Sequence, residues 1–374
     1  MNKATLVGYH GHKNLGDDIF REILFNWMSK DLNVNACAIT AANGSIISHK
    51  TIEVECIEPP VKKISRSIWL PIFTKAIKSK YLIFSAGSIF TIQPFFIIYI
   101  LLLLLKLIRK DLKIYAVGVS AGPYKSKFDK YWCLKAFALM DHVMLRDKRS
   151  EGILSGAGMD INYRLSYDLA LSYYQFFLKS KTTTKHRKIL GVSLTDRGFE
   201  SCSMGHSKLC DLYVELLRGV LNTEFNPEVR LYAVCSDKEY GDVELCEHVM
   251  ERLHEFSDRV SIVKYNNDID KHLDSLLECS ALIATRMHAG VMAILNNVPT
   301  YQISYAEKIS EFYCHTSISN KYLRNMNEIS TNDMYEFVLD AFDMKLTDFV
   351  TNQCNTLNTK GMNVVADLEA LSEI

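Results

Sequence analysis

The sequence predicts an α/β fold made of two similar domains, and three observations support this prediction. The chain has 374 residues, more than one typical hydrophobic core accommodates, so two domains are expected. Short apolar segments, typical of buried parallel strands, alternate with amphipathic segments of helical period in both halves. Between the halves, residues 179–188 (KSKTTTKHRK) are basic and contain no core residue, which is typical of a linker. Two Rossmann-like domains that face each other across a cleft, the GT-B arrangement in outline, are the consequence.

The predicted linker, residues 179–188, sets the expected domain boundaries. Residues 1–178 form the N-terminal Rossmann-like domain, and residues 189–330 form the C-terminal one. Residues 331–374 are expected to form C-terminal helices. The spacing Ser330-x-x-Asp333 at their start resembles a helix capping box.

Composition and charge exclude several classes of protein. The formal net charge is zero, which argues against a non-specific nucleic-acid binder, because such binding needs a basic excess. Ten cysteines are scattered without zinc-ligand spacing, so we expect reduced buried thiols, a reducing compartment and no metal. The N-terminus enters a strand at once and lacks the features of a signal peptide, which predicts a cytoplasmic protein.

One hydrophobic segment, Phe95 to Ile108, complicates the assignment to the cytoplasm. Its uninterrupted apolar run is about half of the ~20 residues that a membrane span requires, and Pro94 and Lys106 bracket it. The sequence therefore favours a buried helix over a helix that faces a membrane or a partner. Because a helix that is apolar on every side needs cover, a peripheral membrane contact stays open.

A glycine-rich loop follows the first predicted strand, Ala4 to Tyr9, and precedes an amphipathic helix. Its three glycines let the backbone approach a ligand closely, and Asp17 is expected to cap the helix. The loop is neither a P-loop nor a dinucleotide-binding fingerprint. Taken alone, it is equally compatible with a simple connection between a strand and a helix.

Small or charged residues follow the next predicted strands, Tyr81 to Phe84, Lys113 to Val119 and His142 to Leu145. The first two lead into Ser-Ala-Gly sequences, and the third leads into Arg146 and Asp147. Small residues at the carboxyl ends of parallel strands leave room for a ligand. For Arg146 and Asp147 the alternative is a buried ion pair that only braces the loop.

The segment Leu282 to Ala293 is the most informative part of the second half. A short buried strand ends here, and Thr285 is a candidate N-cap for the helix that follows. Arg286 and His288 lie on the first turn, where the backbone amides of Met287 and His288 lack partners within the helix. A guanidinium and an imidazole at a helix N-terminus predict an anion site. The alternative is an ordinary surface arginine beside a packing histidine.

Together these loops resemble the motifs of the polysaccharide pyruvyl transferase family. The motifs similar to those of the family are Gly8-Tyr9-x-Gly11-x-x-Asn14-Leu15-Gly16-Asp17-Asp18, Tyr115 to Pro123, Val143-Met144-Leu145-Arg146-Asp147-x-x-Ser150, Thr285-Arg286-Met287-His288-Ala289, and Pro299 with Tyr305 to Lys308. The resemblance covers residues 4 to 312. Each motif is modest, but their order and spacing are specific.

The sequence departs from the family pattern at two places. The family's three consecutive glycines are Ser85-Ala86-Gly87 here, which would narrow the room for an acceptor sugar. The family's Tyr-Asp-Pro-Lys is Tyr305-Ala306-Glu307-Lys308 here, so the acidic residue is shifted while the lysine keeps its place.

The resemblance implies transfer of the enolpyruvyl unit of phosphoenolpyruvate to two hydroxyls of a sugar in a surface polysaccharide or its precursor. The products are a pyruvate ketal and phosphate. The family's donor would lie on the C-terminal domain and its acceptor on the N-terminal domain. The catalytic and substrate-binding positions carried over from the family are His288, Arg286, Lys308, Arg146, Arg197, Thr285, Met287, Asn14, Gly16, Asp17, Asp18 and Gly87, of which Arg197 rests on a looser alignment.

The chemistry of these side chains fits the implied donor. Phosphoenolpyruvate carries about three negative charges near neutral pH, and the planar forks of Arg286 and Arg146 suit such a ligand. Lys308 would neutralise the departing phosphate. His288 is the natural general acid, because the pKa of an imidazole lies near neutrality. Asp17 and Asp18 are candidates to orient or deprotonate the acceptor hydroxyl; the identity of the general acid and base stays open.

Two other functions remain open at this point. A GT-B glycosyltransferase would place the diphosphate of a nucleotide sugar at the same helix N-terminus. A non-catalytic glycan-binding relative would explain the departure at Ser85-Ala86 and the hydrophobic segment. A lipid-linked oligosaccharide is one candidate acceptor, since it would suit a helix that contacts a membrane.

Overall fold

A computed structural model shows two parallel α/β sheets. The structure describes residues 2–59, 68–85, 87, 89–91, 93–177, 188–195, 206–237 and 241–373. Backbone contacts divide the chain into two compact units, each with its own sheet. All pairings between the described strands are parallel, as the continuous apolar character of the central strands predicts. The predicted α/β class with two Rossmann-like sheets is confirmed.

The first unit consists of Met1–His12, Asp17–Phe176 and Gly361–Ile374. Its strands are β1 (Asn2–Val7), β2 (Val34–Thr40), β3 (Glu53–Ile57), β4 (Tyr81–Ser85), β5 (Lys113–Val119), β6 (His142–Leu145) and β7 (Tyr163–Leu165). In the sheet their order is β3-β2-β1-β4-β5-β6-β7. The order reverses between β1 and β4, so the crevice that binds ligands in such folds lies at their carboxyl ends.

The second unit consists of Lys13–Gly16 and Phe177–Lys360. Its strands are β8 (Ile189–Ser193), β9 (Glu228–Ala233), β10 (Val260–Lys264), β11 (Ala281–Ala284), β12 (Thr300–Ser304) and β13 (Leu323–Asn325). They are arranged β10-β9-β8-β11-β12-β13, with the reversal between β8 and β11. Each unit therefore has the strand order of a doubly wound sheet.

Parallel strands require crossover connections, and the described helices lie between successive strands, except the last two, which follow β13. They are α1 (Leu15–Lys30), α2 (Trp69–Ala76), α3 (Phe95–Ile108), α4 (Lys127–Phe137), α5 (Lys148–Ser155), α6 (Tyr173–Phe176), α7 (His206–Leu221), α8 (Val243–Glu251), α9 (Ile269–Leu277), α10 (Met287–Ile294), α11 (Glu307–Thr316), α12 (Thr331–Phe342) and α13 (Thr347–Ser372). Ser330 occupies the N-cap position of α12, but its side chain makes no capping hydrogen bond, so the capping-box prediction is wrong.

The contact units differ from the predicted domain boundaries at two places. Lys13–Gly16 belongs to the second unit, where the Leu15 amide donates to the Val234 carbonyl at 3.2 Å. The last turns of α13 belong to the first unit, where Trp27 Nε1 donates to the Leu368 carbonyl at 2.8 Å. Hydrophobic periodicity gives no signal for either long-range contact. Of the predicted linker, residues 179–187 lie outside the described residues.

Helix α3 has the same bounds as the hydrophobic segment seen in the sequence, but only one face of it is covered. Its buried side chains are Phe95, Ile98, Leu102 and Leu105. Leu104, Leu107 and Ile108 are 42%, 67% and 58% exposed. The prediction of a helix is confirmed, while the expectation that it is buried holds for one face. Among the described residues, no helix is long and apolar enough to span a bilayer.

Candidate functional site

Four neighbouring strands of the second unit bring candidate residues to one edge of its sheet. Because β9, β8, β11 and β12 run parallel, their carboxyl ends meet there. The segments that follow these strands contain Asp242, Thr285, Arg286, His288, Tyr305 and Lys308. This edge includes the reversal between β8 and β11, the position at which such sheets bind ligands.

Arg286, and not Thr285, is the N-cap residue of α10, so this part of the prediction is wrong. The Thr285 hydroxyl donates to the Ser193 carbonyl at 2.7 Å and is therefore left to accept from the Tyr213 hydroxyl at 3.1 Å. Thr285 is fully buried and ties β11 to β8. These tertiary partners outweigh the local preference of threonine for capping.

The N-terminus of α10 retains the polar groups that an anion requires. The first hydrogen bond within the helix runs from the Gly290 amide to the Arg286 carbonyl at 3.3 Å. The amides of Met287, His288 and Ala289 precede it and point out of the helix end. The positive end of the helix dipole therefore lies next to the Arg286 and His288 side chains.

A buried ion pair with Asp242 fixes the orientation of Arg286. Arg286 Nε lies 3.1 and 3.0 Å from the two carboxylate oxygens, and Nη2 also contacts Oδ1. The side chains of Arg286 and Asp242 are only 11% and 0% exposed. Asp242 additionally accepts from the Cys235 amide at 2.9 Å. Asp242 thus holds the Nε–Nη2 edge of the guanidinium, and Nη1 remains on the edge that a ligand can use.

Each charge in this pair opposes the effect of burial on its partner. Burial acts to lower the pKa of Arg286, but the charge and hydrogen bonds of Asp242 outweigh it and raise that pKa. Burial raises the pKa of Asp242, and the guanidinium offsets part of this effect. The donors aimed at Asp242 come from a guanidinium and a backbone amide, which fit the carboxylate form.

The glycine-rich loop supplies the surface against which His288 lies. The Lys13–Gly16 segment docks on the second unit through an antiparallel bridge between Asn14 and Cys235. A Cβ atom added to Gly16 would collide with Nδ1 of His288. The absence of a side chain at position 16 is therefore what allows the imidazole to approach the loop backbone. The motif residue Gly16 and the motif residue His288 are in direct contact.

Lys308 and Arg286 lie near the same aromatic ring. Lys308 Nζ is 5.8 Å from the centroid of Tyr305, and the Lys308 side chain is exposed. Tyr305 is also close enough to contribute to the raised pKa of Arg286. The structure thus places Arg286, His288 and Lys308 on consecutive segments of one unit, as the motifs predicted.

Arg146 in the first unit is held in a comparable way. Its Nε donates to Ser120 Oγ at 2.8 Å, and its Nη1 donates to Asp168 Oδ2 at 3.1 Å. Asp147 accepts from Ser120 at 2.6 Å and from the Ser150 amide at 2.8 Å. Asp147 caps α5, so the carboxylate partner of Arg146 is Asp168 and the alternative of an Arg146–Asp147 brace is wrong.

Gly87 makes room for Arg146 as Gly16 does for His288. A Cβ atom at Gly87 would collide with the guanidinium of Arg146. Of the three consecutive glycines in the family motif, this sequence keeps only the one at Gly87. The close approach of Arg146 gives a steric reason for a glycine at this position. Whether Arg146 and Arg286 act on one donor stays a prediction.

The two adjacent acidic residues of the loop have different surroundings. Asp18 is buried and forms an ion pair with Arg21. Asp17 is half-buried. The pKa of Tyr9 is raised mainly by the burial of Tyr9 itself, and the charge of Asp17 adds to this rise. Helix α1 begins at Leu15, and the Asn14 side chain accepts from the Gly16 amide at 3.1 Å, so the prediction that Asp17 caps this helix is wrong.

Asp168 and Asp242, which hold the two candidate arginines, are residues that sequence reasoning missed. They lie 22 and 44 residues from the arginines that they hold, so no local pattern links them to their partners. The fold class offered the only signal, because it places the ends of successive strands side by side. Arg197 lies outside the described residues. Within the described part of the chain, no cluster of three His, Cys, Asp or Glu side chains could hold a metal ion.

His10 is a buried histidine beside the reversal point of the first sheet. Its side chain is 1% exposed, and neither ring nitrogen has a hydrogen-bond partner among the described residues. A Cβ atom at Gly8 would lie 2.6 Å from its Nε2. Burial, with smaller contributions from Arg21 and His12, lowers the pKa of His10 to about 3. The imidazole is therefore neutral over the physiological range of pH.

Comparison with known proteins agrees with the architecture and the motifs. A family model described as polysaccharide pyruvyl transferase matches residues 14–307. No curated protein sequence matches the chain. The crystal structure of a putative UDP-N-acetylglucosamine 2-epimerase from Listeria monocytogenes is similar over 99% of this chain and 96% of that one, with 12% identity and a TM-score of 0.65.

Two further solved structures share the fold. Anabaena Alr3699/HepE in complex with UDP-glucose is similar over 100% of this chain and 98% of that one, with 11% identity and a TM-score of 0.59. WaaG, a glycosyltransferase involved in lipopolysaccharide biosynthesis, is similar over 99% of this chain and 97% of that one, with 9% identity and a TM-score of 0.52. At these identities the likeness concerns the fold alone, and it confirms the predicted GT-B-like class.

We expect Gly16→Ala to displace His288 and to lower stability. The new methyl group collides with a ring inside a packed loop, and such overpacking typically costs about 1–3 kcal/mol. The control is Gly152→Ala in α5, where a Cβ atom meets nothing within 4 Å. Thermal unfolding of both variants measures the difference; equal melting temperatures would show that the loop accommodates the methyl group freely.

Removing the charge of Asp242 should destabilise the protein strongly. Asp242→Asn leaves Arg286 as an uncompensated buried cation, which costs roughly 3–5 kcal/mol. The matched control is Asp211→Asn, because Asp211 pairs with Arg252 at a site where the side chains are 57% and 45% exposed. There the loss should stay below about 1 kcal/mol. Urea unfolding curves of both variants decide the comparison, and equal losses would contradict it.

Stability should fall on acidification in part because of His10. The unfolded imidazole takes up a proton near its ordinary pKa of about 6.5, whereas the folded one does so only near about 3. The contribution of His10 to the free energy of unfolding is therefore complete above the unfolded pKa. It is lost progressively as the pH falls toward the folded pKa of about 3. This contribution amounts to about 2 kcal/mol between pH 7.5 and pH 5. His10→Gln should flatten the measured dependence of unfolding free energy on pH, whereas parallel curves for variant and wild type would refute the assignment.

Proposed function

The chain belongs to the polysaccharide pyruvyl transferase family, and from this premise we propose that it transfers the enolpyruvyl unit of phosphoenolpyruvate to a sugar. Two sugar hydroxyls lose their protons as their oxygens bond to C2 of the donor, and the bond from C2 to the phosphate oxygen breaks. One proton is added to C3, which becomes a methyl group, and the other leaves with the phosphate. The products are a pyruvate ketal on a surface polysaccharide or its precursor, and inorganic phosphate. The observation that carries the proposal is Arg286, pre-oriented by Asp242 beside His288 at the N-terminus of α10.

The second unit offers the groups that such a donor needs. Phosphoenolpyruvate carries a carboxylate and a phosphate, with about three negative charges near neutral pH. The ligand-facing edge of Arg286 and the amides at the start of α10 supply donors to one anionic group. Lys308, exposed beside Tyr305, supplies a mobile cation for the phosphate as it leaves.

Proton transfer is assigned to His288 in this proposal. The imidazole lies on the first turn of α10, and Gly16 lets it rest against the loop that precedes α1. A protonated ring can deliver its proton to C3 of the enol or to the departing phosphate, and general acid catalysis of this kind contributes typically about 10²–10⁴-fold in rate. Arg286 next to it is charged and already paired, so it does not compete for the proton.

Acceptor recognition is assigned to the first unit. Asp17 is the better of the two acidic candidates, because Asp18 is already neutralised by Arg21. Tyr9, 38% exposed, lies near Asp17, and its hydroxyl accepts a hydrogen bond from Gln93 Nε2 at 3.1 Å. An aromatic ring next to a carboxylate suits a sugar, since the ring can cover the apolar face while the carboxylate binds a hydroxyl. Arg146, held by Asp168, keeps the donor-binding role that its motif implies.

No cofactor takes part in the proposed reaction, because phosphoenolpyruvate enters as a substrate and leaves as ketal and phosphate. Phosphoenolpyruvate is made in the cytoplasm, so the proposal places the reaction there. The acceptor is either a free or a lipid-linked oligosaccharide.

Replacing the fork of Arg286 by an ammonium group tests donor binding. We expect Arg286→Lys to weaken phosphoenolpyruvate binding by roughly 10- to 100-fold, because one or more charge-assisted hydrogen bonds are lost. The matched control is Arg252→Lys, since Arg252 also pairs with an aspartate but at an exposed position. Calorimetric titration of both folded variants gives the two affinities. An undiminished affinity in Arg286→Lys would remove this residue from the donor site.

Turnover of the wild-type protein tests the reaction itself. Labelled phosphoenolpyruvate is incubated with a panel of free and lipid-linked oligosaccharides, and both phosphate release and label in the glycan are followed. Equal amounts of both products support the proposal. Thermal stabilisation by nucleoside diphosphates, without any by phosphoenolpyruvate, would favour a glycosyltransferase instead.

A further inference from the structure

A cluster of aromatic rings lies on the surface formed by α3 and α4 of the first unit. Trp132 is its centre: the rings of Phe96, Tyr99, Phe128 and Tyr131 lie at centroid distances of 4.7, 5.0, 6.0 and 5.2 Å from it. Phe96, Phe128 and Tyr131 are 44%, 62% and 46% exposed. The rings pack on one another and still present large apolar areas to solvent.

The apolar surface continues along α3. Leu104, Leu107 and Ile108 are exposed on the same helix, as described above. We call these three residues, together with the aromatic cluster, the α3–α4 face. Scattered exposed apolar side chains are normal, but so many on two adjoining helices indicate a surface that is covered by something else.

Basic residues surround this face. Residues 95–141 contain eight lysines and arginines and three aspartates, and Lys106 pairs with Asp141 at 2.6 Å. Lys125, Lys127 and Lys130 are exposed and form no ion pair with a described carboxylate. Lys135 Nζ lies 5.7 Å from the Tyr131 ring centroid. Asp111 pairs with Arg109 at 2.7 Å, and Asp129 accepts a hydrogen bond from the Ser126 hydroxyl at 2.7 Å, which leaves it as the one negative charge among the lysines of α4.

We propose that the α3–α4 face docks the protein on the surface of an anionic lipid bilayer. Aromatic rings are enriched where hydrocarbon meets head groups, and each lysine close to an anionic membrane adds attraction. Long lysine side chains can keep their ammonium groups among the head groups while the rings enter the apolar layer. The contact is peripheral, because the opposite face of α3 is packed on the core of its unit.

The same charges argue against two other occupants. A second copy of this chain would bring the lysines of α4 against one another in a symmetric dimer, which is unfavourable. Protein interfaces are depleted in lysine and prefer arginine as their cation, whereas Lys125, Lys127, Lys130 and Lys135 are all lysines. An anionic lipid surface satisfies the aromatic and the basic groups together.

This inference goes beyond the proposed chemistry and does not depend on it. Membrane docking would stand even if the donor were not phosphoenolpyruvate, and the ketal transfer would stand even with a water-soluble acceptor. If both hold, the docked protein meets a lipid-linked sugar at the bilayer surface.

Tryptophan fluorescence of the whole protein reports on docking. The chain has three tryptophans, and Trp27 and Trp69 are 0% and 6% exposed, so a vesicle should act mainly on Trp132. With phosphatidylcholine vesicles that contain phosphatidylglycerol, we expect a blue shift of the emission and co-flotation of the protein. Both should weaken with added salt or with phosphatidylcholine alone. Trp132→Phe should abolish the shift but retain the flotation.

A charge-matched pair of variants tests the assignment of the face. The double variant Phe128→Glu/Lys130→Glu removes one lysine and one aromatic ring from the face. The loss of the lysine charge should lower vesicle binding at least about fivefold, and the loss of the ring should lower it further. Met344→Glu with Lys271→Glu makes the same charge change at an exposed methionine and lysine of the second unit and should leave binding unchanged. Circular dichroism checks that both proteins are folded. Failure of the wild type to float, equal losses in both variants, or a lipid-free dimer that only the first variant disperses would overturn the proposal.

Discussion

The buried ion pair between Arg286 and Asp242 is the interaction on which the candidate site depends. Such pairs add little to stability, because removing two charges from water costs about as much as their attraction returns. Burial raises the pKa of Asp242, as expected when a carboxylate is removed from water. What the pair provides is orientation: Asp242 holds one edge of the guanidinium and leaves the other edge in a fixed direction. A site for the small, highly charged donor proposed above would benefit from such a pre-oriented arginine more than from a flexible one.

The first unit uses the same arrangement with different residues. Arg146 is held by Asp168 and Ser120, and Ser120 is in turn held by Asp147, which also caps α5. Both arginines follow the carboxyl end of a short buried strand, and both have a mostly buried carboxylate as partner. Two independent units have thus arrived at one physical arrangement. This recurrence fits a shared role for the two arginines, since both stand at the strand ends where such sheets bind ligands.

The sequence predicted those parts of the protein that local pattern determines. Central strands such as β5 and β6 are recognisable as continuous apolar runs, because both of their faces are buried. The bounds of α3 coincide with those of the hydrophobic segment in the sequence. The edge strand β3 alternates weakly, and β7 and β13 have three residues each, so they gave no signal. The motif residues were found at strand ends as expected. Their carboxylate partners were not, because the distance along the chain between an arginine and its aspartate is set by the fold and not by any local rule.

Helix α3 shows why an unusually hydrophobic segment needs explanation beyond packing. Only four of its fourteen side chains are buried; they attach the helix to the core of its unit, and Ile97, Tyr99 and Leu101 pack partly buried against the same core. Leu107 and Ile108 contribute nothing to that attachment and leave most of their surface in water. Polar residues at these positions would keep the helix in place and remove a risk of aggregation. Apolar residues that the fold itself does not require, on a face that also presents the exposed lysines Lys125, Lys127 and Lys130, fit the bilayer contact proposed above.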